Sequence, residues 1–415
     1  MNAAMVRISL FSAYFLFAIL LNSVGTVILQ SIASFGATKA QASILEAFKD
    51  LPIAAVSFLI ASFLPRIGYG RAMMIGFALV GLACLAMPLA PSFLAAKFLF
   101  FTVGASFALV KVSVYSTIGL LTDDSSSHAS LLNFIEGFFM VGVLAGYWLF
   151  AAFIDPADTA STGWTRVYWL LAALAAANVV LLATAKFPSP PAPAAGAALG
   201  REFREMLGLL WRPAVVVFVI SAFLYVLIEQ GIGTWLPTFN NEVLHLPQAM
   251  SVQATSIFAA ALAAGRLGAG VLLRRINWYS LLNICVICMG ALMVLTLPAT
   301  RGIEAQHDIS WASAPPAAFI LPMIGLFLAP IYPAINSVIL SSLPRERHAA
   351  MAGLIVVFSA LGGTTGSFIT GQTFAHFGGE TAFLMSLAPM AALLAALWFL
   401  RRLAEQRRAP AAQPT

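Results

Sequence analysis

The stretch Phe93–Leu121, FLAAKFLFFTVGASFALVKVSVYSTIGLL, contains a single charged residue after Lys97, which is Lys111. At about 1.5 Å of rise per residue, a helix places Lys111 about 21 Å from Lys97 and about 18 Å from Asp123. Apolar helices of this length cross membranes, and the end charges mark the two faces. We therefore expect Lys111 near the bilayer midplane, where a charge costs at least about 2.5–3.5 kcal/mol. Such a residue is a candidate for a transport pathway.

The composition of the whole chain is that of a membrane protein. Its 415 residues are 61% hydrophobic and 9% charged, whereas soluble domains carry about 25% charged residues. Twelve apolar runs are long enough to cross a membrane, and we number them as spans 1 to 12. They cover residues 8–31, 41–64, 72–90, 93–120, 130–153, 165–185, 213–238, 250–273, 279–299, 316–342, 350–374 and 381–400. The predicted fold is an all-α membrane protein with twelve transmembrane helices.

The basic residues predict the orientation in the membrane. If the chain starts in the cytoplasm, most of its 22 lysines and arginines fall on the cytoplasmic side, as the positive-inside rule requires. The outer side then holds Lys39, Lys97, Arg166 and Arg301. We predict a bacterial inner membrane protein with both termini in the cytoplasm. The net charge of +6 reflects this bias and does not indicate nucleic acid binding.

The chain is divided by a linker into two six-helix halves. Residues 187–212 begin with a Pro/Ala-rich segment, which is typical of a linker, and continue as REFREMLGLLWR, which fits a short amphipathic helix at the membrane surface. The predicted domains are residues 1–186 and 213–400, followed by a cytoplasmic tail over 401–415.

The two halves repeat each other in sequence. Residues 128–146 align with 348–366 without a gap, so that Gly142 matches Gly362 and Gly146 matches Gly366. These GxxxG pairs allow close helix packing. In a second overlay, residues 22–26 of span 1 match residues 230–234 of span 7. Transporters built from such repeats bind their substrate at the midplane between the halves.

This organisation resembles the major facilitator superfamily over nearly the whole chain. The family motif between spans 2 and 3 is present in part, as residues 65–71 (PRIGYGR) without its aspartate. Two stretches are similar to the fucose:proton symporter branch: residues 225–235 (YVLIEQGIGTW) and 330–336 (PIYPAIN). That branch carries acidic residues in spans 1 and 4. The matching positions here fall near Gly25 and Lys111, which indicates that the proton site of that branch is not retained and weakens the expectation of a neutral sugar.

The resemblance implies that spans 1, 4, 7 and 10 line the cavity. Polar residues on these spans are the predicted substrate-binding residues: Lys111, Tyr115, Asn22, Gln230, Tyr332 and Asn336. Some of them have an alternative, which is to bond only to the backbone of their own helix.

Two carboxylates inside the spans are predicted to take part in proton coupling. Glu136 lies at a depth similar to that of Lys111, and we expect an ion pair between them. That pair either neutralises two insertion costs or acts as a switch for which substrate or proton competes. Glu229 lies in the outer half of span 7, where a buried carboxylate can carry a proton; the alternative is contact with a polar neighbour.

Six further charged residues are predicted to serve in gating. Glu46 shares one helix face with Lys49 and Asp50, and this group either neutralises itself at the cavity mouth or helps to close the outer gate. Arg66 and Arg71 belong to the partial motif. Arg266 can reach the cytoplasmic interface.

The predicted function is secondary active transport of a small polar solute, namely a sugar, a sugar acid or another carboxylate, by alternating access. Lys111 favours a solute with an anionic group, such as a sugar acid or another carboxylate, and the chain has no ATP-binding motif, so we expect coupling to protons. The alternatives are a proton-driven exporter, a lipid-handling protein or a sensor that does not transport. No catalytic motif such as HExxH or GxSxG is present, so an enzyme is not predicted. We expect no cofactor or metal, and a monomer.

Overall fold

A computed structural model describes residues 3–60, 64–122, 125–188, 204, 206–273, 275–300, 302–303, 309–341, 343–344 and 347–408. Every regular element in these residues is helical, and the predicted all-α class is confirmed. The long described helices correspond to the twelve predicted spans. Those of the first half are Ala3–Asn22 with Val24–Phe35 (span 1), Lys39–Ala42 with Leu45–Ile60 (span 2), Tyr69–Leu89 (span 3), Phe93–Leu121 (span 4), Ser125–Ala151 (span 5) and Val167–Thr184 (span 6).

The second half repeats this order. Its spans are Pro213–Gly233 with Leu236–Glu242 (span 7), Gln248–Leu272 (span 8), Trp278–Thr296 (span 9), Ala317–Ile320 to Ile331–Ser341 (span 10), His348–Phe377 (span 11) and Gly379–Leu384 with Leu387–Arg408 (span 12). Within the described residues, eleven helical segments are long and apolar enough to cross a membrane. Span 2 is shorter in its described part, because its main helix has 16 residues and residues 61–63 lie outside the description. The predicted amphipathic helix of the linker, over residues 201–212, is described at 204 and 206–212, and residues 204 and 206–209 are helical.

Because the spans alternate in direction, their connections lie on two faces of the bundle. We call the side of the first residues and of the 187–212 connection the linker face. The opposite side, which carries the connections after spans 1, 3, 5, 7, 9 and 11, is the far face. Local sequence explains several helix starts there. Thr38 and Gln41 form a capping box before span 2, and Ser92 accepts a hydrogen bond from the Ala95 amide to begin span 4.

Spans 5 and 11 pack closely against spans 1 and 7 through the repeated glycines. A methyl group at Gly142 would lie 2.6 Å from the Phe15 carbonyl oxygen, and Gly146 lies against Ile19. In the second half, methyl groups at Gly362 and Gly366 would overlap the carbonyl oxygens of Phe223 and Leu227. The GxxxG pattern therefore serves the same helix pair in each half, since only glycine permits backbones to approach this closely.

Spans 1 and 7 are both interrupted where the second overlay matched them. The helix of span 1 ends at Asn22 and resumes at Val24, and that of span 7 ends at Gly233 and resumes at Leu236. Two helix pairs also join the halves: span 5 packs against span 8, and span 2 packs against span 11. The interruptions and these two contacts surround the space between the halves.

Candidate functional site

A cavity of about 610 Å³ lies between the two halves. Spans 1, 2, 4, 5, 7, 8 and 10 contribute to its wall. Most of the predicted site residues line it: Asn22, Glu46, Lys49, Lys111, Tyr115, Glu136, Glu229, Gln230, Arg266 and Tyr332. The cavity thus gathers side chains that lie far apart in the sequence.

Three polar contacts join the halves toward the far face, and we call them together the far-face gate. Lys39 forms an ion pair of 2.7 Å with Glu242. Gln30 donates a hydrogen bond of 3.0 Å to Gln248. Thr234 donates one of 3.2 Å to Glu46 at the end of the cavity. These contacts close the cavity on its far-face side.

The other end of the cavity lies toward the linker face. Arg266 is exposed and lines the cavity, about 27 Å along span 8 from Gln248 at the far face. Its guanidinium contacts the Met140 sulfur at 3.6 Å and interacts electrostatically with Glu229. The predicted reach of Arg266 toward the linker side agrees with this position, and its side chain also forms part of the cavity wall.

Lys111 projects into the cavity between aromatic rings. Its ammonium lies 5.7 Å from the ring centre of Phe107 and 6.0 Å from that of Tyr115. Both rings lie one turn from Lys111 along the same helix. The negative faces of aromatic rings attract a cation, so these contacts stabilise the ammonium without neutralising it.

The predicted ion pair between Lys111 and Glu136 is not formed among the described residues, since no salt bridge within 4.0 Å joins them. Instead, Glu136 accepts a hydrogen bond of 2.8 Å from the Tyr115 hydroxyl. The Glu136 carboxylate is thereby turned toward Tyr115. The Glu136 charge still acts on Lys111 electrostatically, but the N–H groups of the Lys111 ammonium remain available to another hydrogen-bond acceptor.

The second half provides a tyrosine pair and a matching carboxylate. The rings of Tyr225 and Tyr332 stack with 5.1 Å between their centres. The Tyr225 hydroxyl donates to Glu229 at 3.1 Å, and the Tyr332 hydroxyl shares a hydrogen bond of 3.0 Å with Ser359. Each half therefore holds one cavity carboxylate with a tyrosine hydroxyl.

The charged group of span 2 lies deeper than a cavity mouth. Glu46 is 0% exposed, Lys49 6% and Asp50 9%. Lys49 pairs with Glu46 and lies 3.4 Å from Asp50. The group is self-neutralised in part and also joins the halves through Thr234; its role in gating stays a prediction.

Four predicted residues do not line the cavity. Asp50 lies behind Glu46 and Lys49, and Asn336 lies one turn beyond Tyr332 on span 10. Arg66 and Arg71 are exposed near the linker face. Within the described part of the chain, no group of three or more His, Cys, Asp or Glu residues is placed to hold a metal ion.

Asn22 lines the cavity, but its amide donates to the carbonyl of Ala18, one turn earlier, at 2.9 Å. This is the local backbone bond that the sequence left open as an alternative. Its other polar atom remains available to the cavity.

Sequence reasoning missed three polar residues of the cavity: Tyr14, Tyr147 and Thr234. Helical spacing was the available signal. Tyr147 follows Glu136 by three turns on one face, and Thr234 follows Gln230 by one turn. Polar residues one to three turns from a predicted residue, on the same helix face, were therefore further candidates for the cavity wall.

Comparisons with known proteins agree with this architecture. Residues 10–367 match the family model described as Major Facilitator Superfamily. Among solved structures, the nucleoside transporter NupG superimposes with a TM-score of 0.70 at 16% identity, covering 97% of this chain and 100% of that chain. A D-xylose-proton symporter gives 0.69 at 16% identity, covering 96% and 97%. The E. coli fucose:proton symporter FucP gives 0.61 at 17% identity, covering 96% and 99%. No curated protein matches the chain by sequence.

Proposed function

The chain belongs to the major facilitator superfamily, and from this premise we propose that it transports a small organic anion by alternating access, coupled to protons. It is a transporter of small solutes by its family. What we propose beyond the family is that the solute is an anion, that transport is coupled to protons and that it proceeds by alternating access. A carboxylate, such as that of a sugar acid, is the anionic group that fits best.

The Lys111 ammonium is the observation that carries the proposal. Keeping a lysine in the middle of an apolar span costs free energy, and within the described structure no carboxylate lies close enough to form an ion pair with it. Its aromatic neighbours leave its hydrogen-bond donors unused. A bound carboxylate would supply the missing charge and the missing acceptors.

The remaining wall suits an organic solute with a polar body. A volume of about 610 Å³ lies in the range of small-molecule sites, about 300–1,000 Å³. The stacked Tyr225 and Tyr332 offer ring faces, and Gln230 and Asn22 offer amides. Rings and amides of this kind bind the apolar and hydroxyl-bearing parts of a solute.

For coupling we propose the proton. Glu136 and Glu229 line the cavity and each accepts a tyrosine hydroxyl bond. Binding of a proton to either carboxylate would change the charge that a bound anion meets. The exporter alternative uses the same residues and differs only in the direction of the gradients.

The test is ligand stabilisation of the purified full chain in detergent, with gluconate as the anionic probe and glucose as its neutral counterpart. A ligand that binds only the folded state stabilises it by RT ln(1 + c/Kd), where c is the free ligand concentration, so the melting temperature rises with ligand concentration. We expect gluconate to stabilise the wild type, Lys111→Met to abolish the effect, and glucose to have none.

Lys97→Met is the matched control. Lys97 lies on the same span, holds its ammonium 4.5 Å from the ring centre of Phe93 and does not line the cavity. It should leave gluconate binding unchanged. If glucose stabilises the wild type and Lys111→Met equally, or if no carboxylate from a broader panel binds, the proposed anion specificity is wrong.

A further inference from the structure

Span 2 carries two buried carboxylates and one buried ammonium. Glu46, Lys49 and Asp50 are all less than one-tenth exposed, and Lys49 contacts both acids. If all three groups are ionised, the group has one negative charge in excess. An excess charge held away from water is unfavourable unless a proton or a counter-ion neutralises it.

Among the residues that the structure describes, the surroundings of the group add no compensating cation. Span 5 places Tyr147 beside Lys49 and Glu46, and span 7 places Glu229 within electrostatic reach of the same group. The nearby basic residues of the cavity have other acidic neighbours, since Arg266 acts on Glu229 and Lys111 on Glu136.

The remaining elements around span 2 present backbone or uncharged surface. A methyl group at Gly363 of span 11 would overlap Asp50 Oδ2, and one at Gly104 of span 4 would overlap the Lys49 carbonyl oxygen. Of the titratable side chains of span 4, Lys111 and Tyr115 line the cavity and Lys97 does not. The group is thus clamped between the halves with its excess charge uncompensated.

The hydrogen-bond network around Glu46 also lacks one hydrogen atom, because it contains more acceptor contacts than donated hydrogens. The Thr234 hydroxyl lies 3.2 Å from Glu46 Oε2 and 3.1 Å from Gln230 Oε1, yet a hydroxyl has a single hydrogen to donate. A proton on Glu46 completes the chain, because Glu46 then donates to Thr234 and Thr234 donates to Gln230. A rotated Gln230 amide would complete it too, with Glu46 ionised, and the experiment below separates the two.

We propose that Glu46, Lys49 and Asp50 form a proton-binding site inside the far-face gate, and that a proton bound there holds this gate closed. The proposal rests on the proposed alternating access. The proton comes from water in the cavity, which Glu46 and Lys49 line, and is added to a carboxylate oxygen. When the halves part at the far face, span 2 leaves spans 7 and 11, water solvates the carboxylates, and the proton is released to that side.

The experiment follows the gate distance against pH without any solute. Spin labels are attached to Gln41→Cys and His376→Cys, two exposed far-face positions on spans 2 and 11, in the full chain in nanodiscs. The native cysteines at 84, 285 and 288 are replaced by alanine. The substitution at residue 376 also removes a histidine from the far face. Double electron–electron resonance then measures the closed and open populations between about pH 8 and about pH 5.

We expect the closed-to-open ratio to rise as the pH falls, by up to about tenfold per pH unit for one linked proton. Glu46→Gln and Asp50→Asn each leave one carboxylate opposite Lys49, so each should stay closed at every pH. Glu380→Gln is the control, because this far-face carboxylate accepts from Thr300 outside the gate, and it should keep the wild-type response.

A wild-type ratio that does not change with pH overturns the proposal and assigns the missing hydrogen to the Gln230 amide. So does a full pH response in both Glu46→Gln and Asp50→Asn. The wild-type series needs no substitution in the group, and either variant alone is informative if the other does not fold. Because no solute is present, failure of the anion proposal would leave this result standing, and failure here would leave the gluconate result standing.

Discussion

Gly25 of span 1 lies against the backbone of Thr234 in span 7, so closely that a methyl group at residue 25 would overlap the Thr234 carbonyl oxygen. These residues belong to the two segments that the sequence repeat pairs, and both segments interrupt their helices there. The halves therefore touch beside the pseudo-symmetry axis, at the closed end of the cavity. Several expectations follow from this and from the other contacts described.

Gly25→Leu should prevent the far face from closing, because the added side chain has no space while Thr234 stays in place. The measurement is the alkylation rate of Ser31→Cys, a buried far-face position, by an impermeant maleimide in a background without native cysteines. We expect a rate several-fold above that of the parent. Gly119→Leu, which has open space around it, should react as the parent does; equal rates in all three proteins would contradict the role of Gly25.

The Lys39–Glu242 ion pair should contribute little to stability by itself. Its side chains are 26% and 32% exposed, and pairs exposed to solvent are worth about 0–1 kcal/mol. A double-mutant cycle with Lys39→Met and Glu242→Gln, measured by unfolding, should give a coupling energy in that range that falls with added salt. A coupling energy several times larger would show that the pair is much less solvated than its exposure indicates.

Gly142→Ala should destabilise the first half by about 1–3 kcal/mol, the usual cost of overpacking. The new methyl group would lie 2.6 Å from the Phe15 carbonyl oxygen and 2.8 Å from the Ala18 Cβ. Gly137→Ala, on the same helix with nothing within 4 Å, should have the opposite sign, since alanine favours a helix by up to about 1 kcal/mol over glycine. Melting temperatures of both variants decide the matter, and a shared sign would refute the packing argument.

Tyr115→Phe should weaken binding of a carboxylate solute by about tenfold, which corresponds to about 1.4 kcal/mol. Without the 2.8 Å bond from Tyr115, the Glu136 carboxylate is free to turn toward Lys111 and compete with the ligand. Adding Glu136→Gln to Tyr115→Phe should restore affinity. Tyr168→Phe, at a buried tyrosine of span 6 that does not line the cavity, is the control, and isothermal titration with gluconate measures all four proteins.

Much of the architecture was predictable because hydropathy and repeats act over long stretches. The twelve apolar runs, the linker position and the glycine pairs in spans 5 and 11 all follow from patterns of many residues. Helix interruptions at Ser23 and at Thr234–Trp235 were not predicted, because the few polar and glycine residues at each break do not interrupt the long apolar run around it. Hydropathy records depth in the membrane and not the local path of the backbone.

The candidate site shows the same limit at the level of single residues. The similar depths of Lys111 and Glu136 were predictable from their positions in the apolar runs, and both residues line the cavity. Their expected ion pair, however, is not formed. Rotation about the helix axis decides which side chains meet, and here Glu136 accepts a hydrogen bond from Tyr115 instead of pairing with Lys111. The deep burial of Glu46, Lys49 and Asp50 likewise depends on spans 7 and 11, which begin about 160 and about 300 residues later in the chain.

The glycine contacts that bind span 5 to span 1 and span 11 to span 7 have a mechanical consequence. Helices in such backbone-to-backbone contact cannot slide past one another without steric overlap. Any opening of the far face must then occur where the two halves meet, which is between spans 2 and 11 and between spans 5 and 8. Each bundle then rocks as a stiff body. The pivots of that motion lie where the two bundles meet, and the interior of each bundle travels unchanged from one state to the other.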